Sequence, residues 1–386
     1  MKTSLVVISP KKLWIYPLLF GILGALIGLL LRYAYTGSIS GFPFKNVLHS
    51  HSHVLLLGFL FNALLILVWT NFTQGFDKVS YNYYLALQVC VTVMLVAFIL
   101  QGYGFYSILF STLHLWISYV LLVRLWKRLV RNNAIHQLVK LGIIFHFISS
   151  LGPYLLGPLM VMEMQKSPWY QQAIFFYLHF QYFGIFFVWM LAVLLKKTSI
   201  LLVKKHVVII ALSLVLLFAH SLDYSFNHWV IQVFGGLGSV LLLVVLLNFK
   251  NTFIQSQKQY TYIYYIILFV GVINIVGSIP SIANLVIESR FILIAWLHFL
   301  FLGMYIPFIW MSFTRKLNPL LWTFYGSMVL LSEILLVFPK MLSQWVSISL
   351  MWLLFFTYLG VTISICFVNL KFLFETKNKN KSIKTL

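Results

Sequence analysis

Acidic residues are almost missing from this 386-residue chain: six Asp and Glu stand against 27 Lys and Arg, a formal net charge of +21. Charge of either sign is scarce. Only 9% of residues carry it, against about a quarter in an average soluble domain. With 62% apolar residues and a mean hydropathy of +0.97, that scarcity excludes a water-soluble globule. Cysteine is equally thin. Cys90 and Cys366 both lie inside apolar runs, which excludes a disulfide framework or a thiolate cluster and leaves packing as their role. No small-residue cleavage site follows the first apolar run, so Leu13 to Leu31 reads as a span rather than a secretory leader.

What fills the chain is long hydrophobic runs. A bilayer crossing takes roughly 20 apolar residues. Twelve crossings are predicted, at about 13–36, 49–72, 83–104, 106–130, 137–163, 170–195, 203–222, 229–249, 262–287, 291–314, 319–339 and 345–374. The expected fold class is an all-α polytopic membrane protein. A single membrane domain over 1–375 is followed by a basic tail, 376–386. If the N-terminus is cytoplasmic, 22 of the 27 basic residues fall inside, and only Arg32, Lys45, Lys166, Arg290 and Lys340 fall outside. This positive-inside bias predicts both termini in the cytoplasm of a multi-pass cell-membrane protein. It also explains the basic surplus without nucleic acid, and makes lipid the expected partner of the Lys-rich tail.

Three segments repeat. "HVLLLGF" at His53, "HFQYFGI" at His179 and "HFLFLGM" at His298 each place Gly five residues after His, at separations of 126 and 119 residues. They fall on the second, sixth and tenth spans. The chain therefore reads as three four-helix pseudo-repeats, about 13–130, 137–249 and 262–374. Gly at that spacing offers close helix approach or room for a flat ligand. His53, His179 and His298 enter from the outer side, at a rise of about 1.5 Å per residue within the outer third of the bilayer. His114 is at similar depth, and His220 lies where the seventh span emerges, ahead of Asp223 and His228. A lone intramembrane His is often only hydrogen-bonded; several at one depth point to ligands for haem iron or copper.

On these residues the chain resembles the catalytic subunit of the haem-copper oxidase superfamily. That resemblance implies twelve helices in threefold pseudosymmetry, a low-spin haem, most simply haem b, and a neighbouring copper. His53 and His298 match the low-spin haem ligands on the second and tenth helices. His179 matches the copper ligand on the sixth, and His220 in "FAHSLD" the first of a His pair after the seventh, with His228 the nearest candidate for a further metal ligand. The chain departs from the family's pattern at Ser221 for the second paired His, Trp296 for the high-spin haem ligand, and Phe183, with Tyr182 one position early, for the sixth-helix tyrosine. "HSHVLLLGF" also resembles the His-x-His motif of NnrS-type haem proteins, which protect against nitric oxide. Family haem propionates pair with cations, and Lys340, Arg290 and Arg32 are the outer-face candidates.

The implied function is a redox haem protein, with oxygen or nitric oxide chemistry open to it and a separate donor subunit or quinol. A haem protein for nitric oxide handling or sensing is the near alternative. A secondary transporter with an outer-face histidine site is the distant one. No acidic residue falls in the inner half of a span, so no buried proton relay from the cytoplasm is expected; Glu333 lies in the outer half of the eleventh.

Overall fold

A computed structural model describes residues 8–129, 133–222, 228–313, 318–339 and 348–382. Every described regular element is a helix, as expected where hydrocarbon offers the backbone no hydrogen-bond partner. Among the described residues, twelve helices are long and apolar enough to cross a membrane. They are α1 (Pro10–Ala34), α2 (Phe44–Phe72), α3 (Lys78–Gln101), α4 (Phe105–Arg128), α5 (Ala134–Val161) and α6 (Pro168–Lys197). The second six are α7 (Lys204–Ser221), α8 (Trp229–Leu247), α9 (Lys258–Gly277), α10 (Arg290–Phe313), α11 (Pro319–Val337) and α12 (Leu350–Glu375). Two short helices, Lys250–Gln255 and Pro280–Glu288, lie outside this set. The chain is a multi-pass membrane protein.

Local sequence explains several helix starts. Asp77 caps α3, accepting from the Ser80 amide at 2.6 Å, and Arg124 from α4 pairs with the same carboxylate at 3.0 Å. Ser167 caps α6 and Asn318 caps α11, each followed by Pro at the first helical position, where a missing N–H costs nothing.

The chain divides into two compact units: residues 1–125 with 294–386, and residues 126–293. In the first, α1 packs on α12 and α2, α2 on α3, and α11 on α12. Polar side chains join these helices. Asn62 of α2 and Gln88 of α3 exchange amide hydrogen bonds at 2.9 and 3.3 Å. Trp310 donates to Asn369 at 3.2 Å, and Asn369 donates on to the Leu18 carbonyl. In the second unit, α7 packs on α8, α8 on α9, and α5 on α6. There the Trp189 indole donates to the Val139 carbonyl at 3.2 Å.

Three spans share a further feature. The helix turns π-helical directly after His53 (Val54–Phe61), after His179 (Phe180–Phe186) and after His298 (Phe299–Tyr305). The Gly five residues after each His falls inside the widened stretch. A β-carbon on Gly58 would come within 2.8 Å of Phe20 and Val91, and one on Gly184 within 2.9 Å of Phe145. Close approach of neighbouring helices is what these two glycines allow. Gly303 differs: its nearest neighbour is the ring of Phe299 in its own helix.

Gly238 sets the α7–α8 approach. A β-carbon there would stand 2.7 Å from the Ser213 carbonyl and 2.8 Å from the Leu217 amide, both backbone atoms that cannot swing aside. Gly238→Ala is expected to cost about 1–3 kcal/mol and to lower the melting temperature in detergent. Gly326→Ala on α11, where the β-carbon meets open space, should be neutral. Equal melting of the two variants would show that α7 and α8 are not this close.

Candidate intramembrane histidine sites

In the first unit, α1, α2, α10, α11 and α12 bring polar residues to one end of the bundle. Arg32 lies in the last turn of α1 and is buried. Its Nη2 meets Nδ1 of His298 at 3.4 Å, and its guanidinium sits over the Tyr358 ring at 5.9 Å. The His298 and Tyr358 rings stack at 6.1 Å with 26° between their planes. His51 turns toward α1, where its Nδ1 donates to the Gly24 carbonyl at 2.9 Å. Gly28, one turn on, has the Tyr358 hydroxyl 2.6 Å and the His51 ring 2.7 Å from where its β-carbon would be. His51 and Arg32 both lie close enough to His298 to couple to it electrostatically. Glu333 of α11 is buried, and neither of its oxygens meets a donor.

His53 faces elsewhere. Its Nδ1 donates to the His49 carbonyl at 2.9 Å, and its ring packs on Phe98 at 4.2 Å and Tyr103 at 6.4 Å, on the α3 side. His51 and His298, by contrast, share Arg32 and Tyr358 as neighbours. The two-residue step between His51 and His53 turns the rings to different faces of one helix.

The fit to a haem rests on the imidazole nitrogens left over. With Nδ1 donating to a carbonyl, His51 and His53 each present an unprotonated Nε2 with no protein partner. The rings of His51, His53 and His298 are each partly exposed. A His whose Nδ1 proton is held by a carbonyl has its Nε2 ready for a metal. His298 is different. Arginine only donates, so its contact with Nδ1 puts the ring proton on Nε2. His298 can present Nε2 as a ligand once Arg32 turns to another acceptor. His51 and His53 thus offer an Nε2 to a ligand, and His298 does not while Arg32 holds its Nδ1.

In the second unit, His179 and His220 do converge, through Ser221. His179 Nε2 donates to the Leu214 carbonyl at 2.9 Å, and Ser221 donates to its Nδ1 at 3.2 Å. His220 donates from Nδ1 to Gln232 at 3.0 Å, and its Nε2 lies 3.3 Å from the Ser278 hydroxyl, which itself donates to the Asn274 carbonyl at 3.0 Å. Gly235 leaves room for the His220 ring, 2.6 Å from where a β-carbon would be. Both nitrogens of both rings thus have a protein partner. Among the described residues no group of three His, Cys, Asp or Glu is placed to hold a metal ion.

The other expected residues scatter. His228 is exposed and caps α8, its Nδ1 accepting from the Val230 amide at 3.4 Å. His114 is buried on α4 in the first unit, 5.8 Å from Phe61. Arg290 is exposed at the start of α10. Lys340 and Asp223 lie outside the described residues. Tyr358 went unnoticed in the sequence. A signal for its partner face existed: Gly21, Gly24 and Gly28 form a small-residue stripe on α1.

Comparison with known protein families and with curated proteins finds nothing that matches this chain.

If the His179–Ser221 contact is structural, Ser221→Ala should cost about 1 kcal/mol in stability and leave the metal content and absorbance of the purified protein unchanged. A change in bound copper in Ser221→Ala, measured by elemental analysis, would show that these histidines hold metal.

Proposed function

We propose that this chain is a haem-binding redox protein of the cell membrane, with the haem held in the first unit by His298 of α10 and His51 of α2. The observation that carries the reading is Nε2 of His51, left without a protein partner by the Nδ1 hydrogen bond to Gly24, with His298 beside the same Arg32 and Tyr358. In a membrane bundle an imidazole nitrogen without a partner is costly. A bound haem, most simply haem b, would supply one-electron chemistry. The chain's own residues do the rest. The Gly24 carbonyl fixes the His51 tautomer. Gly28 keeps the space between His51 and Tyr358 clear of side chain. Arg32 is the cation placed to take an acidic group of the ligand when it leaves His298.

His51 is preferred to His53 because only His51 shares its surroundings with His298. The resemblance to the haem-copper oxidases contributes the rest: three four-helix pseudo-repeats and cytoplasmic termini. The threefold succession of His, π-helix and Gly supports the first, and the distribution of lysine and arginine the second. The electron donor is a separate subunit or a quinol. Electron transfer or nitric oxide handling at a single haem suits the site better than oxygen reduction at a paired metal centre, because His179 and His220 are fully hydrogen-bonded. A second reading, a proton- or ion-coupled transporter, is favoured by one feature, the buried Glu333 beside Arg32.

An absorbance spectrum of the purified protein decides between them. Sharp bands on reduction are expected in the wild type. They should vanish in His298→Ala and His51→Ala and persist in His53→Ala. Persistence in His51→Ala with loss in His53→Ala would move the ligand to His53. A colourless wild type, expressed with haem supplied, would refute the haem reading and leave the transporter.

A further inference from the structure

Among the described residues, Glu333 is the one acidic side chain set inside a span rather than at its end. Asp77 caps α3, Glu163 follows α5, Glu288 ends a short helix, and Glu375 ends α12. Glu333 is the fifteenth residue of α11 and is 8% exposed. Neither Oε1 nor Oε2 has a hydrogen-bond donor.

Asp77 shows what a committed structural carboxylate looks like in this chain. It accepts from the Ser80 amide at 2.6 Å and from Arg124 at 3.0 and 3.3 Å. Glu333 has none of this. Arg32 of α1 is the cation near it, yet the guanidinium is turned to His298 and Tyr358 instead of closing an ion pair. Facing the carboxyl from α12 is Tyr358, which couples to both Glu333 and Arg32. α10 contributes His298 behind Arg32, and α2 adds His51 behind that. Glu333 is thus buried with neither a donor set nor a closed ion pair, although a permanent cation is near. A carboxyl held by neither a salt bridge nor a donor set is free to change state.

We propose that Glu333 is a proton-binding site within the bundle. Its carboxylate takes one proton from water at the end of the unit where α1 finishes and α2 begins, becomes the carboxylic acid, and returns the proton to water by the same route. Nothing is oxidised or reduced. Arg32 is the counter-charge of the deprotonated form, so each proton bound or released alters the field at His298. The site goes beyond the haem reading and stands whether or not a haem is bound.

Infrared difference spectroscopy of the intact protein in lipid vesicles tests it. The wild type should show a protonated-carboxyl stretching band that rises and falls with pH and shifts in heavy water. Glu333→Gln should lose it, and Arg32→Gln should keep it with its titration midpoint displaced. If Glu333→Gln does not fold, Glu333→Asp serves instead, with the band moved in frequency. A band that persists in Glu333→Gln, or a wild-type spectrum with no pH-dependent carboxyl band, overturns the proposal. The measurement needs no colour: a titrating band in a colourless protein keeps this site and removes the haem, whereas haem bands without a titrating carboxyl do the reverse.

Discussion

Inside hydrocarbon a hydrogen-bonding group has only the protein to turn to, and this constraint organises the molecule. The backbone meets it by being helical through all twelve crossings. Side chains meet it by pairing. Asn62 and Gln88 exchange both their amide donors and acceptors, Trp310 and Asn369 extend a chain to the α1 backbone, and Tyr84 donates to the Leu13 carbonyl. Each such bond between membrane helices is worth about 0.6 kcal/mol on average, so their larger effect is on which faces meet. Against that background the exceptions stand out. The Glu333 carboxyl and Nε2 of His49 are buried without a partner, and Nε2 of His51 and His53 make no hydrogen bond to protein.

The π-helical stretches connect this constraint to the histidines. A π-turn adds a residue to the turn and loosens the regular ladder, and such turns are found mostly where function requires them. Here each follows a His directly and contains the Gly at the fifth position. In α2 and α6 that Gly meets a neighbouring helix. The widened turn and the small residue together let the helix shift its facing residues while staying packed. α2 and α6 are also the most enclosed spans, with 78% and 94% of their apolar windows buried. The altered turns are thus interior features and not frayed ends.

How legible each part was depended on how local its cause is. Composition and run length alone fixed the crossings: the expected span at 49–72 is observed as Phe44–Phe72, and that at 345–374 as Leu350–Glu375. The His-to-Gly recurrence was visible as letters, but the π-turn it marks was not, because π geometry depends on tertiary neighbours. The face that each α2 histidine presents was not legible for a similar reason. His51 and His53 are equally apt by type, and only the rotation of α2 against the glycine stripe of α1 decides which one meets Arg32 and Tyr358. Ser221 illustrates the reverse case. It was noted only as a departure from a ligand pattern, and in the fold it is the donor that occupies His179.

The difference between the two histidine clusters comes down to which ring nitrogen is left over. At His179 a backbone carbonyl takes the proton on Nε2 and a serine fills Nδ1, so the ring is a neutral spacer with no lone pair to give. At His51 the carbonyl takes Nδ1, and Nε2 has no protein partner. His298 sits between these cases, because the group on its Nδ1 is a cation with alternatives. Arg32 has five N–H donors and one hydrogen bond. Its other neighbours are the Tyr358 ring and the Glu333 carboxyl. Turning Arg32 from His298 toward Glu333 would leave the Glu333 charge compensated and release Nδ1 of His298 to carry its own proton. Ligand competence at His298 and charge at Glu333 are therefore two readings of the position of a single side chain.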